Sequence, residues 1–392
     1  MTGPLAPTVR VLGRRHVPRL LSSALLGRLP TGMAALAILL LVRDRGGEYG
    51  LAGLLSGLYA AGGALGGPLL GRAIDRYRQG PVLVGAALAA GVGFAALGLV
   101  PMRGWPPLAA TLLAGAATPP LESCLRVLWP RVVSADLLHP AYSLDAAAQE
   151  ILFVLGPLVV LGSVAAFGPA GGVVVAAVLG VAGVALFATA GPSRTWRGEP
   201  TARRHPAGPL RSGRLVRLLV SLLLTGFTLG TFAVGSTAYA EHAAGRGLAG
   251  WLIAANGLGA LIGGVGYTLV RPGADLSRRL LVLSVALAAG YLPLALQPAP
   301  PVMLALCVLS GLSLPPVLAC GFAIVERVAP EGTVTEAFTW VVAAFGVGNA
   351  AGATLGGVLV DRYGAVAAFL IGAGTAALAA VTVARRLVPA RP

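Results

Sequence analysis

Apolar runs of about twenty residues recur along the whole chain, interrupted only by short charged or turn-forming segments. A helix of that length crosses the hydrocarbon of a bilayer, and repeated crossings by one chain require helices that satisfy their own backbone. Twelve such spans are expected, near 19–43, 49–71, 81–101, 106–128, 142–167, 169–190, 215–240, 248–270, 279–297, 301–325, 336–360 and 364–387. Charge content agrees: 11% of the 392 residues are charged, against roughly 25% in a soluble domain. The 56 glycines would cost a soluble helical protein backbone entropy, but in lipid they let helices approach closely. The expected fold class is an all-α membrane protein of twelve transmembrane helices.

One connection is long, GPSRTWRGEPTARRHPAGPLRSGR at 191–214, and it divides the chain into two six-helix halves, 1–190 and 215–392. With twelve spans threaded, most arginines fall on one side. Arg10, Arg14, Arg15 and Arg19 are in the N-terminal tail, and Arg72, Arg76 and Arg78 follow span two. Arg194, Arg197, Arg203, Arg204, Arg211 and Arg214 are in the linker; Arg271, Arg278, Arg279, Arg385, Arg386 and Arg391 complete the set. The opposite side keeps Arg43, Arg45, Arg103, Arg246 and Arg362. This asymmetry places both termini and the linker in the cytoplasm of a cytoplasmic-membrane protein. It also makes the net charge of +15 topogenic, because nucleic-acid binding gathers basic charge in one patch. The first span is too long for a signal-peptide core and no small-residue cleavage site follows it, so it is expected to stay in the mature protein.

The halves repeat one another. GLAGLLSGLYAAGGALGG at 50–67 aligns with GLAGWLIAANGLGALIGG at 247–264, and PPLESCLRVLWPRV at 119–132 aligns with PPVLACGFAIVERV at 315–328. Two matches at an offset of about 196 residues point to duplication of one six-helix unit rather than to chance likeness of glycine-rich helices.

Twelve spans, a six-plus-six repeat and a basic central loop resemble the major facilitator superfamily of secondary transporters. GRAIDRYRQG at 71–80 is similar to that family's signature after its second helix, with Gly71, Asp75 and Arg76 in place; Ala73 and Arg78 depart from it. The corresponding loop of the second half, LVRPGADLSRR, lacks the pattern, with Asp275 a candidate substitute. Gly156-Pro157 in span five resembles the Gly-Pro core of a motif in the family's proton-driven exporters, although Val160 and Leu161 stand where glycines would follow. The resemblance implies a pseudo-symmetric two-bundle fold of the drug/proton antiporter kind, gated at Gly71, Asp75, Arg76, Gly156 and Pro157. On physical grounds alone, an aspartate flanked by arginines at a helix end can form an ion pair that clamps one half to the other, and Pro157 kinks its helix while Gly156 admits a neighbour. A solvated loop and an ordinary transmembrane proline are the plainer alternatives.

Four ionisable residues fall well inside spans of the first half: Arg28, Glu122, Arg126 and Glu150. A lone charge facing lipid costs roughly 2.5–3.5 kcal/mol on insertion scales, so each must face protein, water or a partner. Glu122 and Arg126 are four residues apart, acid before base, the favourable order for an intrahelical pair. Arg28 and Glu150 lack an opposite charge one turn away, Asp145 lying about 140° around the helix from Glu150, so they must find partners across helices. Either Arg28 and Glu150 form a static tie, or Glu150 exchanges a proton as its surroundings change. Asn256 and Asn349 are polar positions in the second half that either line the route or hydrogen-bond between helices. Tyr59 and Trp340 either flank an aromatic substrate or serve as lipid-interface anchors or packing residues. Glycines every fourth residue, at 62 and 66, 259 and 263, and 348, 352 and 356, make flat helix faces; the family resemblance implies faces that slide or rock between the halves, and tight static dimer packing is the alternative.

No phosphate-cradling loop appears, the three cysteines lie in apolar runs, and His16, His139, His205 and His242 have no metal spacing. Neither an enzyme nor a cofactor or metal is expected. The expected function is alternating-access transport of a small molecule near mid-membrane, with proton-coupled export of an amphiphilic compound first and a proton-linked importer or uniporter second. A membrane sensor or scaffold is the reading from another class. The expected partners are the substrate, protons and the bilayer, with the chain a monomer.

Overall fold

The computed structural model describes residues 6–197, 207–243, 247–270, 275–384 and 387. Arg203, Arg204, Arg246, Arg271, Arg385, Arg386 and Arg391, counted in the charge asymmetry, lie outside the described residues, as does His205. In chain order the first half contains α1 (Ala6–Leu12), α2 (Val17–Asp44), α3 (Tyr49–Arg76), α4 (Gln79–Leu99), α5 (Pro106–Ala116), α6 (Leu121–Val132), α7 (Leu138–Phe167) and α8 (Pro169–Ala188). After the short α9 (Gly191–Thr195) come α10 (Gly213–Ala243), α11 (Gly247–Tyr267), α12 (Leu276–Tyr291), α13 (Pro300–Gly311), α14 (Leu314–Val328), α15 (Val334–Tyr363) and α16 (Ala365–Ala384).

Among the described residues, eleven stretches are long and apolar enough to cross a membrane. The expected span at 106–128, fourth in order, is in two pieces: Ala117-Thr118-Pro119-Pro120 breaks it between α5 and α6. The second half breaks at its matching span, where Pro315 and Pro316 open α14 after α13 has ended. Both breaks fall at the repeated Pro-Pro, since proline lacks an N–H and is best placed in a helix's first turn.

Helices α2–α8 pack together as one bundle and α10–α16 as another. Glycines set the closest approaches. Gly62 and Gly66 of α3 meet α5 at Leu112, Gly115 and Ala116; Gly259 and Gly263 of α11 meet α13 at Val308 and at the following Leu312; Gly348 and Gly352 of α15 meet α10 at Leu223 and Phe227. All three faces are spent within a bundle. The expectation that they slide between halves is therefore corrected: a bare backbone face serves best where helices stay in permanent contact.

The buried cores reveal how the halves sit. One core takes residues from both bundles, including Leu20, Leu125, Trp129 and Tyr142 from the first and Leu218, Val317, Phe322 and Phe338 from the second. The same core includes Val11, Val17, Trp196, Leu215 and Leu387, which flank the linker or lie toward the chain's ends in sequence, so its side is called here the linker side. Beyond mid-depth the cores separate. Met33, Leu55 and Phe94 belong to a core of the first bundle, whereas Phe232, Leu252 and Met303 belong to a core of the second. The molecule is closed at the linker side and divided on the other.

Candidate functional site

Two places carry the chemistry: the seam that closes the linker side, and a cluster of charges where the shared core gives way to the separate ones.

At the seam, α3 of the first bundle meets the start of α15 of the second. The first N–H groups of any helix lack intrahelical acceptors and carry the positive end of its dipole. Asp75 supplies both needs from the other bundle: Oδ2 accepts from the Glu336 amide at 2.8 Å and Oδ1 from the Thr335 amide at 3.2 Å. One turn before Asp75, Arg72 donates through Nη2 to Glu336 Oε1 at 2.7 Å and through Nε to Oε2 at 3.1 Å, a two-pronged ion pair across the same seam. Trp340 leans its indole N–H on Glu336 as well, at 3.4 Å. Gly71 is where the helices touch. A Cβ there would stand 2.7 Å from Thr339 Oγ1 and 3.0 Å from the Glu336 Cα.

In this arrangement the Asp75 carboxylate caps a helix of the other bundle, and Arg72 forms an ion pair with Glu336 across the same seam. Arg76 is exposed, with its guanidinium 5.3 Å from the Tyr77 ring. In the second half Asp275 caps its own helix, accepting from the Arg278 amide at 3.0 Å, so it copies no seam contact. A second seam joins α7 to α11: His139 Nε2 lies 2.7 Å from the Tyr267 carbonyl, and Gly264 packs on Ala147.

The charge cluster lies within the first bundle. Arg28 of α2 reaches Glu122 Oε2 at 3.0 Å and Asp145 Oδ1 at 3.7 Å. Arg126 pairs with Glu122 on its own helix, as their spacing predicts, and its Nε donates to Asp145 Oδ2 at 2.8 Å. Two cations and two anions thus balance in an apolar setting, which offsets a desolvation cost of several kcal/mol per ion. Arg126 and Asp145 are sealed from solvent, while Glu122 keeps 13% of its side chain exposed. Of the four, Glu122 is the least buried.

Asp145 was not among the expected residues. Spacing along α7 sets it apart from Glu150, and its partners lie on α2 and α6, a relationship no single-helix periodicity displays. Glu150 lies within α7, but its side chain falls outside the described residues. Gly156 crosses Gly32 of α2 so closely that a Cβ would lie 2.6 Å from the Gly32 carbonyl carbon, and Pro157 follows inside the helix. Asn256 turns into the second bundle, donating to Ser310 Oγ at 2.9 Å and to the Tyr291 hydroxyl at 3.3 Å. Asn349 is half-buried on α15. Tyr59 packs against Phe94 and shares a hydrogen bond with Thr118, and Trp340 serves the seam.

Two duplicated helical bundles, joined at one side and divided at the other, with balanced charges at the base of the division, define a multi-pass membrane protein of the two-bundle transporter class. The sequence matches the Major Facilitator Superfamily over residues 20–300 and 274–392. The chain belongs to that superfamily, whose members are secondary transporters.

Solved structures agree on the fold. A bacterial homologue of the iron transporter ferroportin, in an outward-facing state, superposes with a TM-score of 0.71 at 15% identity over 93% of this chain and 98% of that one. A variant of the E. coli fucose:proton symporter FucP gives 0.70 at 12% identity, over 93% and 97%. The human organic anion transporter MFSD10 (TETRAN) gives 0.69 at 15% identity, over 93% and 99%. Comparison with curated protein sequences gives no match.

Proposed function

We propose that this protein exports a small amphiphilic compound across the cytoplasmic membrane in exchange for protons, by alternating access. The observation that carries this reading is the Arg28–Glu122–Arg126–Asp145 cluster at the base of the division between the bundles. An ion set buried there is costly unless it is used or fully paired, and its least buried member is an acid. A proton or a cationic substrate group arriving at Glu122 changes the balance of the whole cluster. Glu150, on the same helix as Asp145, is proposed as a second acid on the route, and Asn349 as a polar position beside it. Asn256, held by Ser310 and Tyr291, is assigned to the integrity of the second bundle.

The charge asymmetry of the loops supports a cytoplasmic linker side. On that assignment the structure faces outward, and Asp75, Arg72, Glu336 and Gly71 form the inner closure, with Gly156 and Pro157 shaping the crossing of α7 over α2. Buried charge in the first half against apolar and small residues in the second favours an amphiphile with a basic group. The test is movement of fluorescent lipophilic cations, ethidium first, in inverted vesicles with and without a pH gradient. Gradient-driven accumulation lost in Glu122→Gln supports the reading, and accumulation that ignores the gradient refutes proton coupling.

A further inference from the structure

The duplication places one contact between the bundles in a special position. The aligned segments 119–132 and 315–328 pair Arg126 with Phe322. These equivalent positions meet each other in space: the Arg126 guanidinium carbon stands 3.4 Å from the centre of the Phe322 ring. Both side chains are buried in the shared core, Arg126 at 0% and Phe322 at 2% exposure. Tyr142 and Phe338, themselves paired at the same offset, flank the ring at 6.3 and 6.4 Å. The contact therefore lies on the axis relating the halves, where any rocking of one bundle on the other must break it.

The guanidinium is only partly satisfied within its own bundle. Its Nε and Nη2 serve Asp145 and Glu122, while Nη1 has no hydrogen-bond partner among the described residues. A buried cation with an unmet N–H is costly, and the electron-rich face of an aromatic ring is an apolar group that offsets part of that cost. While both acids are ionised the cluster is neutral, and the ring suffices. Neutralising either acid leaves one net positive charge in the shared core. Water then serves Arg126 better than the ring does, and the linker side opens.

We infer that Phe322 couples the two halves: its ring holds the linker side closed while the charges around Arg126 balance, and releases it when they do not. This rests on the alternating-access reading above, and makes Phe322 a positioning residue rather than one that touches substrate. It is tested with Thr335→Cys as a reporter, since Thr335 is fully buried at the seam, with the buried native cysteines replaced by alanine. Phe322 is then exchanged for phenylalanines carrying one, two and three ring fluorines, which keep the shape and progressively remove electron density from the ring face. Alkylation of the reporter from the linker side should rise stepwise along the series, reach about a 30-fold shift toward the open state with Phe322→Leu, and stay near the parent with Phe322→Tyr. A reporter that reacts equally across the series overturns the inference alone, leaving Phe322 as packing. A reporter that reacts in no variant overturns it together with alternating access.

Discussion

Asp75 of the first bundle caps the helix that begins at Val334 in the second, its Oδ2 2.8 Å from the Glu336 amide nitrogen. A helix cap normally comes from the residue just before the helix. Here it comes from 261 residues away, so the cap exists only while the linker side is closed.

Asp75→Ala removes two hydrogen bonds to a charged acceptor, worth about 1.5–3 kcal/mol each. The expected result is a shift of at least about 100-fold toward the state open at the linker side, read by alkylation of a cysteine at Thr335. Arg72→Gln should shift it less, because Arg72 is half-exposed and its pair is partly screened.

Gly71→Ala would place a methyl group against Thr339 and the Glu336 backbone. It should impede closure without unfolding the bundle, and Thr339→Ala should partly restore closure. Gly66→Ala is the contrast. Its Cβ would run into the Ala116 carbonyl of the same bundle, so loss of thermal stability, with no preference between states, is expected in a detergent melting assay.

Arg126→Met leaves two carboxylates facing one remaining cation. Breaking a buried ionic set by removing one member costs about 3–5 kcal/mol, which should appear as a marked fall in melting temperature and in folded yield. Glu122→Gln should cost less, since its side chain is the least buried of the four and glutamine keeps its shape.

Asn256→Leu loses three hydrogen-bond donations inside the second bundle, to the Tyr291 hydroxyl, the Cys307 carbonyl and Ser310 Oγ. A stability loss of about 1–3 kcal/mol is expected, with the order of preference among transported cations unchanged in vesicles.

The duplication was readable because its offset is preserved in two places, and the twin breaks at Pro119-Pro120 and Pro315-Pro316 follow from it directly. The Glu122–Arg126 pair was readable because helical spacing alone brings the two together. What spacing cannot show is which helices meet. The pairing of Asp145 with Arg28 and Arg126 was therefore not foreseen, nor was that of Arg72, whose partner Glu336 lies on a helix of the other half. The glycine faces were legible as close-packing surfaces, but their partners proved to be helices of the same bundle. Arg76 sits beside Asp75 in sequence but extends into solvent, while Arg72, one turn earlier, shares the seam face of α3 with Gly71 and Asp75.

The account turns on the charge cluster acting as the coupling element, and pH-gradient-driven accumulation of ethidium in inverted vesicles, wild type against Glu122→Gln, tests it most directly. The expected result is gradient-driven accumulation by the wild type, and in Glu122→Gln its loss with energy-independent counterflow of the same compound retained. Undiminished gradient-driven accumulation in Glu122→Gln would contradict the account.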